Sequence, residues 1–128
     1  MAWFRRDVLA GGLALAITGG PAAAQARGGA MHGLIGKMRA TPGRRDALIA
    51  ILLEGTSSMP GCLSYVVAKD PAEADTIWVT EVWNSLERHI ASLQLPNVRA
   101  TIQRARPLIA GVDTGQRTIP VGGVGLPR

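Results

Sequence analysis

Ile77-Trp78-Val79-Thr80-Glu81-Val82-Trp83-Asn84-Ser85 is the stretch that decides the fold. Its first seven residues are β-branched or aromatic apart from Glu81, the composition of a strand. Alternation sets Ile77, Val79, Glu81 and Trp83 on one face and Trp78, Thr80 and Val82 on the other. Asn84-Ser85 then starts a helix, with Ser85 as N-cap and Glu87 near the positive end of its dipole. Leu86, Ile90 and Leu93 form its apolar stripe, Pro96 interrupts it, and residues 97–106 resume with Val98 and Ile102 facing in. Both strand faces carry bulky apolar groups. One of them is left open by the helices, which predicts pairing of two sheets in a dimer, the alternative being partial cover by the C-terminal tail.

Upstream, residues 31–40 alternate as a half-buried strand, with Leu34, Gly36 and Met38 on one side and Lys37 and Arg39 on the other. Thr41-Pro42-Gly43 closes it, with Thr41 read as N-cap and Pro42 as N1 of a helix whose apolar stripe is Leu48, Ile51 and Leu52. Pro60-Gly61 is a turn, and residues 62–70 form a second strand with Leu63, Tyr65 and Val67 on one face. A polar connector, residues 71–75, leads to the deciding stretch, and residues 108–121 contain a last strand. The order is β-α-β-β-α-β, the split β-α-β or ferredoxin-like α+β arrangement, over residues 31–121. Residues 122–128 form a Gly-rich tail without a core-forming pattern.

Residues 1–26 read as a cleavable export signal. Arg5 and Arg6 supply the charged region, residues 8–20 the apolar run, and Ala24 and Ala26 the small-residue cleavage site. Thirteen apolar-run residues fall short of the roughly 17–25 needed to span a membrane, so no stable anchor is expected after cleavage. Arg5-Arg6 with Val8-Leu9 resembles a twin-arginine signal, although Phe4 and Val8 replace more usual residues; the unfolded-chain route is the alternative. A periplasmic or secreted protein is expected. Cleavage takes 26 of 128 residues and leaves 102, with residues 27–30 as a flexible lead, enough for one domain. The net charge of +5 falls to +4 once Arg5, Arg6 and Asp7 are gone. Cys62 is the one cysteine, so no disulfide forms within the chain.

Three runs carry a resemblance to a known family: residues 33–43 (Gly33 to Gly43), residues 59–65 (Met59 to Tyr65) and residues 79–85 (Val79 to Ser85). Together with residues 106–111, they are similar to the antibiotic biosynthesis monooxygenase (ABM) family, in its quinol monooxygenase branch. The resemblance implies a homodimer whose two sheets pack into a shared α+β barrel, with a ligand cavity in each subunit. It further implies oxidation of a quinol or phenol by O2 without metal, flavin or haem. Such chemistry requires an apolar pocket, an acid–base group and donors for a developing oxyanion.

His89 stands three residues after Leu86 and four before Leu93, so it faces the sheet and is the candidate base; the alternative is a buried histidine bonded to a backbone carbonyl. Many relatives carry histidines where this chain has Ser92 and Asn97. Trp83 offers a flat pocket wall and an indole donor, or plain core packing. Asn84 is a candidate for a substrate hydroxyl, or a simple turn cap. Tyr65 orients a phenolic ligand, or fills the core. Glu81, if buried, needs a partner, and an arginine from a second subunit is expected. His32 reads as a solvated strand end and Cys62 as a structural thiol. Arg99, Arg104 and Arg106 lack interleaved aromatics and read as a solvated face rather than a nucleic-acid surface. No metal-ligand spacing or phosphate loop occurs.

Two other functions compete with oxidation of a small aromatic. One is a dimer that binds aromatic ligands, or serves a stress response, without turnover. The other is haem degradation, against which Gly36, Ser92 and Ile102 occupy the positions where such relatives carry asparagine, tryptophan and histidine.

Overall fold

The computed structural model describes residues 30–127; the export signal and most of the lead lie outside the described residues. Four strands form one antiparallel sheet in the order β2-β3-β1-β4: β1 is His32–Ala40, β2 Cys62–Lys69, β3 Thr76–Trp83 and β4 Ile109–Thr118. Helix α1 (Arg45–Gly55) joins β1 to β2, and α2 (Leu86–Ser92) and α3 (Pro96–Ala105) join β3 to β4 through a 3₁₀ turn, Arg106–Leu108. This is the ferredoxin-like α+β fold.

The core lies between the sheet and the helices. Met38 and Ala40 of β1, Ile77 and Val79 of β3, Leu48 and Leu52 of α1 and Ala105 of α3 form one buried cluster, with Tyr65 and Val67 packed against it. In β1, Leu34, Gly36 and Met38 are buried and Ile35 and Arg39 exposed, as a period of two requires. Losing Leu48 or Leu52 to alanine would cost about 2–5 kcal/mol.

Helix α1 starts later than the sequence suggests. Gly43 adopts φ +77°, which ends any helix begun at Pro42. Its N–H donates to Asp75 Oδ1 at 3.0 Å, and Thr41 accepts from Arg44 N–H in a turn. Arg44 stands at the N-cap without a side-chain cap.

Residues 86–105 form two helices, not one interrupted helix. Pro96 has no N–H to donate and drives Leu95 to φ −68°, ψ 134°, out of the helical region. Ser85 caps α2 as expected, accepting from Arg88 N–H at 3.2 Å. The buried side chains of α2 are nevertheless His89 and Ser92, while Ile90 is 37% exposed. His89 faces the sheet, as its place on the expected stripe requires, and Leu93 packs against the core, whereas Ile90 of that stripe does not turn in. The far face of the sheet exposes Ile35, Thr80 and Val66 and half-buries Trp78 and Val82.

Candidate functional site

The C-terminal half of β3 carries two polar groups into the core. Glu81 and Trp83 sit two residues apart on the inward face, each about 1% exposed. Strand register sets Leu34 of β1 and Tyr65 of β2 on either side of Glu81, and His32 opposite Trp83. The Trp83 indole Nε1–H donates to Glu81 Oε1 at 2.9 Å. His89, one helical turn into α2, brings its Nε2 to 3.8 Å from the same carboxylate oxygen, too long for a direct hydrogen bond. His89 Nε2 and Glu81 Oε2 are buried without a hydrogen-bond partner. A buried polar atom left unmatched is costly, and among the described residues nothing supplies the match.

Two rings flank the imidazole. The His89 ring lies 5.1 Å from that of Trp83, tilted by 36°, and 5.1 Å from that of His32, stacked at 23°. His32 is only 7% exposed, which corrects the expectation of a solvated strand end. It shares the inward face of β1 with Leu34, Gly36 and Met38, and that alternation was the signal that could have placed it. Within the chain Glu81 accepts from the Trp83 indole.

Burial dominates the electrostatics. It pushes the Glu81 carboxyl above the usual carboxylate range, against the indole hydrogen bond. It lowers His89 to about 3, with His32 and Arg117 acting in the same direction. His32 is lowered to about 4 by burial and Arg117, opposed by Glu87. The histidines are therefore neutral at physiological pH, and a proton entering this site settles on Glu81. Cys62 is raised to about 11 by burial and by the Glu81 charge, which suits a structural thiol.

One cavity gathers these groups. Tyr65, Glu81, Trp83, His89 and Ser92 line it, together with Thr56, Met59, Val98, Thr101 and Ile102. Its free volume is about 10 Å³, the room of a single water molecule, whereas benzene occupies a cavity of about 150 Å³. A ring enters only if the lining moves, and Thr56 and Met59 come from the connector between α1 and β2, where Ser57, Ser58 and Pro60 are exposed. The structure thus brings together His89, Trp83 and Tyr65. Asn84 is exposed and outside the cavity, its N–H donating to Gly61 O at 2.8 Å. Ser92 lines the cavity, with its hydroxyl donating to His89 O at 2.6 Å, so position 92 and position 89 open on the same space. Asn97 is exposed, with Nδ2 3.5 Å from Ser58 O.

Among the described residues no three His, Cys, Asp or Glu side chains are arranged to hold a metal ion, and no helix is long and apolar enough to cross a membrane.

Comparison with known proteins agrees with this architecture. The sequence profile of the antibiotic biosynthesis monooxygenase family matches residues 31–104. A solved structure from Chloroflexus aurantiacus J-10-fl, a candidate antibiotic biosynthesis monooxygenase, is 69% identical, with a TM-score of 0.72 over 73% of this chain and 95% of that one. Candidate monooxygenases from Caulobacter crescentus CB15 (18% identity, TM-score 0.67, 73% and 92% covered) and Nitrosomonas europaea (12%, 0.62, 75% and 92%) share the fold. No curated protein matches the chain significantly.

Proposed function

The chain belongs to the antibiotic biosynthesis monooxygenase family, and from that premise we propose that it oxidises a small quinol or phenolic ring with O2 and no cofactor, using His89 and Glu81 to take the substrate's proton. The observation that carries this reading is the pair of unpartnered buried atoms, His89 Nε2 and Glu81 Oε2, in a cavity walled by Trp83 and Tyr65.

The ring hydroxyl gives its proton to His89 Nε2. An imidazole with a pKa near 3 does not hold that proton, and Glu81, with its raised affinity, receives it. The separation that proton crosses is 3.8 Å, from Nε2 to Glu81 Oε1. The electron-rich anion left behind passes an electron to O2, and recombination places one oxygen atom on the ring. One hydroquinone and one O2 balance to one hydroxyquinone and one water, so the substrate is its own reductant. The Trp83 indole N–H steadies Glu81 while its charge changes.

The same reading includes a homodimer formed through the open sheet face, where Ile35 and Val66 are 37% and 53% exposed beside Trp78 and Val82. It also includes export directed by residues 1–26 to a periplasmic or secreted destination.

The test is oxygen uptake by purified, metal-depleted protein with hydroquinones and phenols. Uptake matched by hydroxyquinone formation supports the proposal; none across a broad panel overturns it. Saturable quenching of tryptophan fluorescence without oxygen uptake would replace it with ligand binding alone.

A further inference from the structure

We propose that His32 is a positioning residue for His89: paired across the sheet with Trp83, it grips the imidazole from a second side and so fixes the direction of Nε2 toward Glu81 and the cavity. The proposal deepens the reading of the site given above and rests on it for its kinetic arm only.

The geometry has three parts. First, His32 and Trp83 are direct register partners on β1 and β3, so their relative position is set by the pairing of the two strands. Second, both rings lie 5.1 Å from the His89 ring, one stacked and one tilted. Those distances fall in the range of favourable ring contacts. Third, His89 itself sits on a helix of seven residues, too short to be stable alone and so a poor platform for a base.

Among the described residues His32 Nε2 is buried without a hydrogen-bond partner, and the contact His32 makes with His89 is through the ring face. The charged and titratable groups acting on the two imidazoles are Glu81 on β3, Glu87 on α2 and Arg117 on β4. A second imidazole against the first also disfavours a cation on either, which keeps the Nε2 lone pair of His89 free to accept.

The test compares His32→Phe, which keeps a flat ring, with His32→Leu, which fills space without one, by ¹⁵N-edited NMR of the imidazoles in the protein free of substrate. Wild type and His32→Phe are expected to show one fixed neutral tautomer of His89 and the same low titration midpoint. In His32→Leu the tautomers average and the midpoint rises. In oxygen uptake the Leu variant should lose about ten- to a hundredfold in kcat with KM little changed, and Phe should restore it. A folded His32→Leu with an unaltered His89 spectrum overturns the proposal, as does a Phe variant that behaves like Leu, because the nitrogen and not the ring face would then matter. The spectra decide the positioning role even if wild-type protein takes up no oxygen, an outcome that would count against the proposed reaction alone.

Discussion

Trp83 and Glu81, two residues apart on one face of one strand, are joined by an indole N–H to carboxylate hydrogen bond of 2.9 Å. Side chains at i and i+2 of a strand are neighbours only on the same face, so a single strand both buries the carboxyl and supplies a donor to it. The other carboxylate oxygen is buried with no hydrogen-bond partner among the described residues, and Glu81 lines the cavity.

Replacing Trp83 with phenylalanine keeps a ring in the core but removes the donor. Glu81 is then buried with both oxygens unmatched, and stability should fall by about 1–3 kcal/mol. Urea denaturation of the two proteins measures this, and an unchanged midpoint would show that the bond contributes nothing net.

Substituting His89 with glutamine retains size and polarity and removes the ability to take a proton. Quinol oxidation should drop by about 10²- to 10⁴-fold while the circular dichroism spectrum stays native. A variant with wild-type rates would move the proton-accepting role elsewhere in the cavity.

Stability should depend on pH through the same groups, in two directions. His32 and His89 have folded-state values near 4 and 3 against 6.5 in the unfolded chain. The unfolded state therefore binds protons first as pH falls below about 6.5, and Tm should decline from there toward pH 4. Glu81 is raised above its ordinary 4.5, so its contribution is present below that pH and lost as pH rises through the folded value. Glu81→Gln should accordingly gain Tm relative to wild type on the alkaline side. Parallel Tm curves for the two proteins across pH 4 to 9 would contradict this.

Gly55→Ala tests how closely the helices approach. A Cβ at Gly55, the last residue of α1, would collide with the side chain of Thr101 on α3. Overpacking at such a contact costs about 1–3 kcal/mol, and Thr101 also lines the cavity. Thermal unfolding checks the first effect; a tenfold or greater rise in KM for the quinol, on the order expected of a crowded pocket, checks the second.

Much of this was legible in the sequence because strands announce themselves through alternation. Ile77, Val79, Glu81 and Trp83 share a face in the sequence and in the structure, and the order of elements follows from the turns that separate them. Helices gave less. Leu86, Ile90 and Leu93 look like a stripe that carries His89 inward, and His89 does face in, but α2 is only seven residues long, brings Ser92 in beside it and leaves Ile90 exposed. His32 was missed because a residue at the start of a strand reads as solvated, while its place in the β1 alternation pointed inward. Gly43 was the decisive residue at the start of α1, since positive φ overrides the helix-starting habit of Pro42. The ring contacts among His32, Trp83 and His89 depend on register across β1 and β3, which no local pattern encodes.

The cavity's lining has two origins in the fold, and that has an evolutionary consequence. The groups to which the proposed reaction assigns the proton, Glu81 and His89, stand with Trp83 on the sheet and α2, whereas Thr56, Met59, Val98 and Ile102 come from α1's far end, its connector and α3. Substitutions in the second group can alter which ring is admitted without disturbing the first. A lineage of such chains is therefore free to diversify its substrates while inheriting one reactive corner intact.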